Sequence, residues 1–343
     1  MTDRQISTSS YSILRVETGY LSSQTRGEGD YLDYNVYNDY PVVLRKIEQL
    51  LRFDFYLALK VRKVARNYDM IWARSEKVGI PLSFMGLPQP LVLNAHHLEF
   101  PPRAGFIKLT GIARKWAAVG YYSDKQKEYL IRELGINEEV LFFSEIPNYL
   151  DVDPKKSTFE GPIISLGVSK RDYATLLKAL APLEGCETEL FVSSRYGDKP
   201  SRKLREDIPE WVKIVGFCPE NEILQKYREA KFVILPLQNT RQTGSGISVI
   251  FEAGAFGKAV IATRTGGSET LIIDGETGIL VPPYDVEAMR AAIRRLWDDP
   301  ECAKEMGRQA RRYIETRFKP EKISKQREQI FTRIVAAQKE ATL

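Results

Sequence analysis

Three groups of residues in this 343-residue chain have types and spacings that could do chemistry. The first is the small-residue loop Thr243-Gly244-Ser245-Gly246, which runs into Ile247 and Ser248 and is followed by Glu252. A glycine-rich turn entering a helix presents unpaired backbone N–H groups and the positive end of the helix dipole. That combination binds anions, phosphate above all, and the glycines let the ligand approach the backbone. A carboxylate at Glu252, further along the same helix, is placed to accept two hydroxyls of a ribose. An ordinary helix start has the same small-residue turn, so the loop alone leaves both readings open. The second group is the cationic pair Lys170-Arg171 in the turn Gly167–Tyr173. The planar fork of an arginine suits the oxygens of a diphosphate. The third is His96-His97, the only histidines in the chain.

The elements that must position these groups follow from periodicity. Leu91–Ala95 is a short apolar run of the buried-strand kind, and it ends at His96. Polar residues at the carboxyl ends of strands in an open α/β sheet face the ligand crevice. Ile163–Leu166 is a second such strand, leading into the Lys170-Arg171 turn and a helix from Ala174. Ile247–Phe256 has helical spacing, and Ala259–Ala262 is again a strand. From Tyr68 onward strands alternate with helices, which predicts parallel sheets. Thr18–Asp39 reads as a long loop, with Gly19 near its start. Pro41–Asn67 reads as one helix or two, with apolar residues at spacings of three and four. Its simplest interpretation is a core-packed helix with a solvated basic face. Pro320–Leu343 is helical in pattern. The polar stretch Asp151–Gly161, with Pro154, reads as a linker.

The longest continuous motif is Glu252–Pro283. Within it, Glu252-Ala253-Gly254-Ala255, Gly257–Thr263, Gly266-Gly267-Ser268-Glu269 and Asp274–Pro283 together resemble the carboxyl-terminal signature of the family 4 retaining glycosyltransferases. The resemblance implies a GT-B fold: α/β, two doubly wound Rossmann-like domains facing across a cleft. It implies an acceptor-side domain over residues 1–151, a nucleotide-sugar-binding domain over 161–318, and a terminal helix over 319–343 crossing back to the first domain. It implies transfer of a sugar from a nucleotide diphosphate sugar to an acceptor hydroxyl with retention, needing no cofactor and no metal. By the same resemblance, His96 lies beside the donor sugar, and Lys170 and Arg171 meet the donor diphosphate. Ser245, Gly246, Ile247 and Ser248 line the donor phosphates, Glu252 the ribose, Gly19 the loop after the first strand, and Phe217 the neighbourhood of the base. Two positions depart from the family pattern. Gly244, eight residues before Glu252, stands where the family usually has another glutamate, and Val168 stands where it has an arginine. These departures keep a non-catalytic partner subunit open. The paired histidines keep open a UDP-sugar 2-epimerase, which shares the fold.

Composition narrows the class further. A chain of this length exceeds what one core usually serves. Its 43% apolar and 28% charged residues describe a globular protein without a membrane-spanning run. The amino terminus lacks the layout of a signal peptide. Three scattered cysteines point to free thiols in the cytoplasm rather than to a zinc site. The net charge of +5 implies no nucleic-acid partner. The charge is unevenly spread, however. Pro41–Lys115 holds thirteen basic and five acidic residues, leaving the remainder net acidic. On an acceptor domain this suits a glycan, lipid-linked or phosphate-bearing acceptor, and peripheral contact with an anionic membrane on its cytoplasmic face.

Overall fold

The computed structural model describes residues 11–17, 30–33, 40–99, 101–144, 152–167, 170–192, 208–216, 218–239 and 244–342. Gly19 and Phe217 fall outside the described residues, as does Asp151 at the head of the expected linker. The chain divides into two compact units. One comprises Met1–Tyr122, Gln126–Ser144 and Glu321–Leu343; the other comprises Ser123–Lys125 and Glu145–Pro320.

The first unit is built on strands β1 (Ile13–Val16), β2 (Asp30–Leu32), β3 (Met70–Ala73), β4 (Leu91–Asn94), β5 (Trp116–Tyr121) and β6 (Leu141–Phe143), ordered β2-β1-β3-β4-β5-β6. The second uses β7 (Ile163–Leu166), β8 (Thr188–Phe191), β9 (Val212–Val215), β10 (Val233–Leu235), β11 (Val260–Thr263) and β12 (Gly278–Val281), ordered β12-β11-β10-β7-β8-β9. Every pairing between these twelve strands is parallel. Parallel strands carry cover on both faces, which explains their unbroken apolar sequences. Along β3 the period of two is visible in the packing. Ile71 and Ala73 enter one core. Met70 and Trp72 enter another, together with Ile330, Phe331 and Val335 of the terminal helix α12 (Pro320–Thr342). The edge of Trp72 meets the ring of Phe331 at 5.3 Å. The apolar residues of α12 therefore find their partners on the first sheet.

Helices α1 (Val42–Leu51), α2 (Phe55–Val64), α3 (Glu76–Met85), α4 (Pro101–Thr110) and α5 (Asp124–Leu134) precede the second sheet. Helices α6 (Tyr173–Leu180), α7 (Glu220–Glu229), α8 (Ile247–Ala255), α9 (Ser268–Leu271), α10 (Val286–Asp298) and α11 (Pro300–Arg317) surround it. On one face of that sheet, α6 and α10 bury Leu176, Leu180, Met289 and Ile293 against Leu190, Ile234 and Ile261. Helix α11 packs so closely that a Cβ on Gly307 would meet the Gly257 carbonyl oxygen at 2.0 Å.

Three local expectations need correction. Thr18–Asp39 is not loop throughout, because Asp30–Leu32 extends the first sheet beside β1, with Leu14 opposite Asp30. Three residues at a sheet edge are too few to show an alternating pattern. Pro41–Asn67 is two helices, and α1 is not packed into the core. Its aliphatic residues are exposed, and its single buried side chain is Glu48. Finally, the described part of the expected linker is fastened to the second unit. Ser157 Oγ donates to the Phe256 carbonyl (2.8 Å), Thr158 N to that of Arg228 (3.0 Å), and Arg311 Nη1 to that of Val152 (3.2 Å).

Lys258 completes this fastening. It is fully buried, donates from Nζ to the Thr158 carbonyl at 3.2 Å, and lies 3.6 Å from the centre of the Phe159 ring. Burial pulls its ammonium down to about 7, from an ordinary 10.5. The unfolded chain therefore holds this proton more tightly than the folded one. Its contribution to stability is complete above about pH 10.5, declines as pH falls toward 7, and is level below that. We expect the difference in urea midpoint between wild type and Lys258→Met to change with pH across this window and nowhere else. Parallel curves from pH 7 to 10 would show that Lys258 stays charged in the fold.

Candidate active site

The described sequence candidates sort onto the carboxyl edges of the two sheets. In the second sheet the chain runs outward from β7 through β8 and β9, then returns to the other flank of β7 with β10. The loops leaving β7 and β10 therefore diverge at a topological switch point, where open α/β sheets place their ligands. Lys170 and Arg171 lie in the first of these loops, and Gly244–Gly246 lie in the second.

Both loops are tied to the end of β10. Arg171 forms an antiparallel bridge with Leu237, and the Lys170 carbonyl accepts from Gln238 N at 2.9 Å. Lys170 is exposed and has a φ of 56°, a left-handed conformation that costs a non-glycine residue energy. Arg171 turns back on its own strand, with Nε donating to the Leu166 carbonyl at 2.8 Å. Its Nη2 lies 2.6 Å from where a Cβ on Gly167 would stand, so the fork passes directly over that glycine. Tyr173 Oη donates to the Gly167 carbonyl at 2.5 Å. Burial lowers the affinity of Arg171 for its proton and raises the Tyr173 phenol to about 12. The guanidinium is thus a partly desolvated cation held in a fixed direction, a setting in which a bound anion gains most.

Gly246 begins α8. Its φ is +83°, and a Cβ there would stand 2.7 Å from Leu235 Cδ2 on β10. Conformation and close approach both exclude a side chain. The half-buried Gly244 and Ser245 precede it, Ile247 is buried, and Ser248 is exposed. The opening N–H groups of α8 have no carbonyl four residues back within the helix. Glu252 lies in the second turn, 8% exposed and engaged in polar contacts within the protein. The structure therefore brings Lys170, Arg171, Ser245, Gly246, Ile247, Ser248 and Glu252 to the β7–β10 region.

His96 belongs to the first unit, at the carboxyl end of β4. Its backbone N donates to Glu76 Oε2 (3.1 Å), and its Nε2 is 2.8 Å from the Arg74 carbonyl and 2.9 Å from Tyr122 Oη. A carbonyl only accepts, so Nε2 carries the ring proton and Nδ1 is the acceptor of the neutral imidazole. The Tyr122 hydroxyl is in turn reached by Asn94 Nδ2 (3.2 Å), whose Oδ1 accepts from Trp72 Nε1 (2.9 Å). Burial holds His96 below its usual pKa, outweighing the pull of Glu76.

Glu76, Asn94 and Tyr122 escaped the sequence reading. Glu76 is 1% exposed and forms a buried pair with Arg103, Nη1 to Oε1 at 2.6 Å. Arg103 Nη1 also approaches the His97 carbonyl at 3.4 Å. One carboxylate thus orders both ends of the turn that carries the histidines. The available signal was Ser75-Glu76 at a helix start, which identifies the cap but not the distant partners.

Residues 171–313 match a family model described as glycosyl transferases group 1. D-rhamnosyltransferase WbpZ of Pseudomonas aeruginosa is 34% identical over 140 residues, which are 40% of this chain and 33% of that protein. Alpha-D-kanosaminyltransferase of Streptomyces kanamyceticus is 31% identical over 254 residues, 64% of each chain. The chain thus spans between about one third and two thirds of the length of these curated relatives. HepE of Anabaena, solved in complex with UDP and glucose, superposes with a TM-score of 0.68 at 17% identity, covering 97% of this chain and 100% of that one. Sucrose-phosphate synthase from Thermosynechococcus elongatus gives 0.66 at 20% identity, covering 91% and 82%. At these identities the structural likeness is one of fold.

The His96 environment makes a direct prediction. Its folded pKa lies below the ordinary 6.5, so its stabilising contribution is complete above pH 6.5 and is lost as pH falls below that. Imidazole NMR resonances, assigned with a His97→Gln variant, are expected to show His96 titrating below pH 6.5, with the proton of the neutral ring on Nε2. Titration at or above 6.5 would contradict this arrangement. The glycine turn, the switch-point placement and the match over 171–313 lead to one conclusion: within this GT-B-fold chain, residues 171–313 are similar to the glycosyl transferases group 1 family.

Proposed function

We propose that the chain transfers a sugar, of the hexose class, from a nucleoside diphosphate donor to an acceptor hydroxyl with retention of configuration and without a metal ion. The observation that carries this reading is the convergence of Arg171 and the Gly246 start of α8 on the end of β10. As the bond between the sugar and the diphosphate breaks, negative charge grows on the leaving phosphate. The opening amides of α8, Arg171 and Lys170 are preorganised to receive it, which is electrostatic catalysis without a reorganisation cost. Glu252 accepts the ribose hydroxyls. In the first unit, His96 Nδ1 is the acceptor that the neutral ring offers to a sugar hydroxyl. The leaving phosphate takes the acceptor's proton on the same face of the sugar, as the family resemblance implies, so no protein nucleophile is needed.

The UDP in the HepE complex makes uridine the first base to test. The rhamnosyl and kanosaminyl relatives leave the choice of sugar open. The cysteines are free thiols, which suits action in the cytoplasm. A thermal-shift panel of nucleoside diphosphates and their sugars is the first experiment. No stabilisation by any of them would overturn the reading.

Two substitutions test the assignments. Glu252→Ala is expected to weaken nucleoside diphosphate binding by about 1.5–3 kcal/mol, the value of hydrogen bonds to a charged group. Calorimetry that finds unchanged affinity in a folded variant would remove Glu252 from the site. Arg171→Ala is expected to lower kcat about a hundredfold or more while weakening donor binding by less, because the charge it meets is greatest in the transition state. A loss confined to donor affinity, with kcat intact, would make Arg171 an anchor only.

A further inference from the structure

Among the described residues, thirteen large hydrophobic side chains are exposed, and eleven of them lie between Val42 and Leu109 in the first unit. The densest group is on α1. Val43, Leu44, Ile47, Leu50 and Leu51 follow the spacing of a single helical stripe and are 45–83% exposed. The one side chain that α1 buries is Glu48, whose Oε1 accepts from Tyr56 N at 2.7 Å. The helix is thus seated on its carboxylate and turns its aliphatic stripe outward. It is fixed in that pose beyond its carboxyl end, where Asp54 N donates to the Lys77 carbonyl at 3.0 Å. Phe84 and Phe106, with ring centroids 5.5 Å apart, and Leu109, 88% exposed, add apolar surface on α3 and α4.

Among the described residues of α1 and α2 the exposed charge has one sign. Pro41–Asn67 contains seven basic residues and two acidic ones. Both acids, Glu48 and Asp54, are buried at 6% and 9% exposure, whereas Lys46, Arg62, Lys63 and Arg66 are exposed. We infer that the α1 face is a docking surface for an anionic lipid bilayer, with the stripe entering the acyl boundary and the basic residues meeting headgroup phosphates. An anionic polymer would satisfy the cations but leave the stripe in water. A second copy of the chain would cover the stripe but bring seven like charges against seven. Only an anionic interface satisfies both features. This inference is independent of the transfer reaction proposed above.

The test is cosedimentation of the full chain with vesicles of phosphatidylcholine alone or mixed with phosphatidylglycerol, at low and high salt. Wild type is expected to bind the mixed vesicles, to lose binding as salt rises, and to ignore phosphatidylcholine. Ile47→Ser with Leu50→Ser is expected to lower partitioning at least about tenfold, and Arg62→Glu or Lys63→Glu at least about fivefold each. These side chains are exposed, so circular dichroism and nucleoside diphosphate binding are expected to match wild type. Equal binding to both vesicle types would overturn the inference, as would wild-type binding by the Ile47/Leu50 variant. A dimer in sedimentation velocity that the same variant dissolves, with no vesicle binding, would assign the face to a second copy instead.

Discussion

The arrangement depends most on the contact between Gly246 and Leu235. A parallel sheet puts the carboxyl ends of all its strands on one edge, but only the switch point leaves a gap between loops. At that gap, α8 starts directly against the last side chain of β10, with room for no Cβ. The approach fixes where the opening amides of α8 lie relative to the sheet. The loop carrying Lys170 and Arg171 is fixed against the same strand end by its bridge to Leu237 and by Gln238 N. Two loops more than sixty residues apart in sequence therefore share one anchor. The family match over 171–313 covers this assembly from Arg171 onward.

The second unit was the more legible because its determinants are local. Ile163–Leu166 was readable to the residue, and Ile247–Ala255 to within one. Buried parallel strands are continuous apolar runs, and caps such as Asp285 and Asp299 mark helix starts. Strand β12 was seen only as part of a motif, because Gly278 begins it and glycine is a poor strand signal. Helix α4 was not identified from the sequence, although proline suits the first helical turn. At the site, small residues and cations could be found by type. The return of Arg171 onto Leu166 could not, since it depends on where Gly167 leaves room.

The first unit was harder because its chemistry is held by contacts distant in sequence. Residues from Trp72 to Tyr122 converge on the histidine turn through hydrogen bonds spanning twenty or more positions. Such a network is costly to leave half-satisfied, and each member restricts the others. The assignment of the His96 proton follows from it: the Arg74 carbonyl decides the tautomer, and Arg74 has no sequence signature that would announce this. For the neutral ring this leaves Nδ1 as the atom that can accept a hydrogen bond.

Charge counting shows the same limit from the other side. From sequence, Pro41–Lys115 is a uniform basic excess. In the fold it separates into different parts. Arg103 is buried and paired with Glu76, so it works inside the unit. Lys108 is paired with Glu133 on α5. The two acids of Pro41–Asn67 are withdrawn into the structure, which leaves α1 and α2 with a more strongly positive outer surface than the count suggests. Hydrophobic periodicity has the matching ambiguity. The stripe on α1 specifies that one face is apolar, and the usual inference sends that face to the core. What reverses it is a single carboxylate at the border of that face. Glu48 lies one turn from both Leu44 and Leu51, beside the stripe, and its bond to Tyr56 N seats that flank of the helix inward. The pattern identifies the face, and the hydrogen bond decides which way it points.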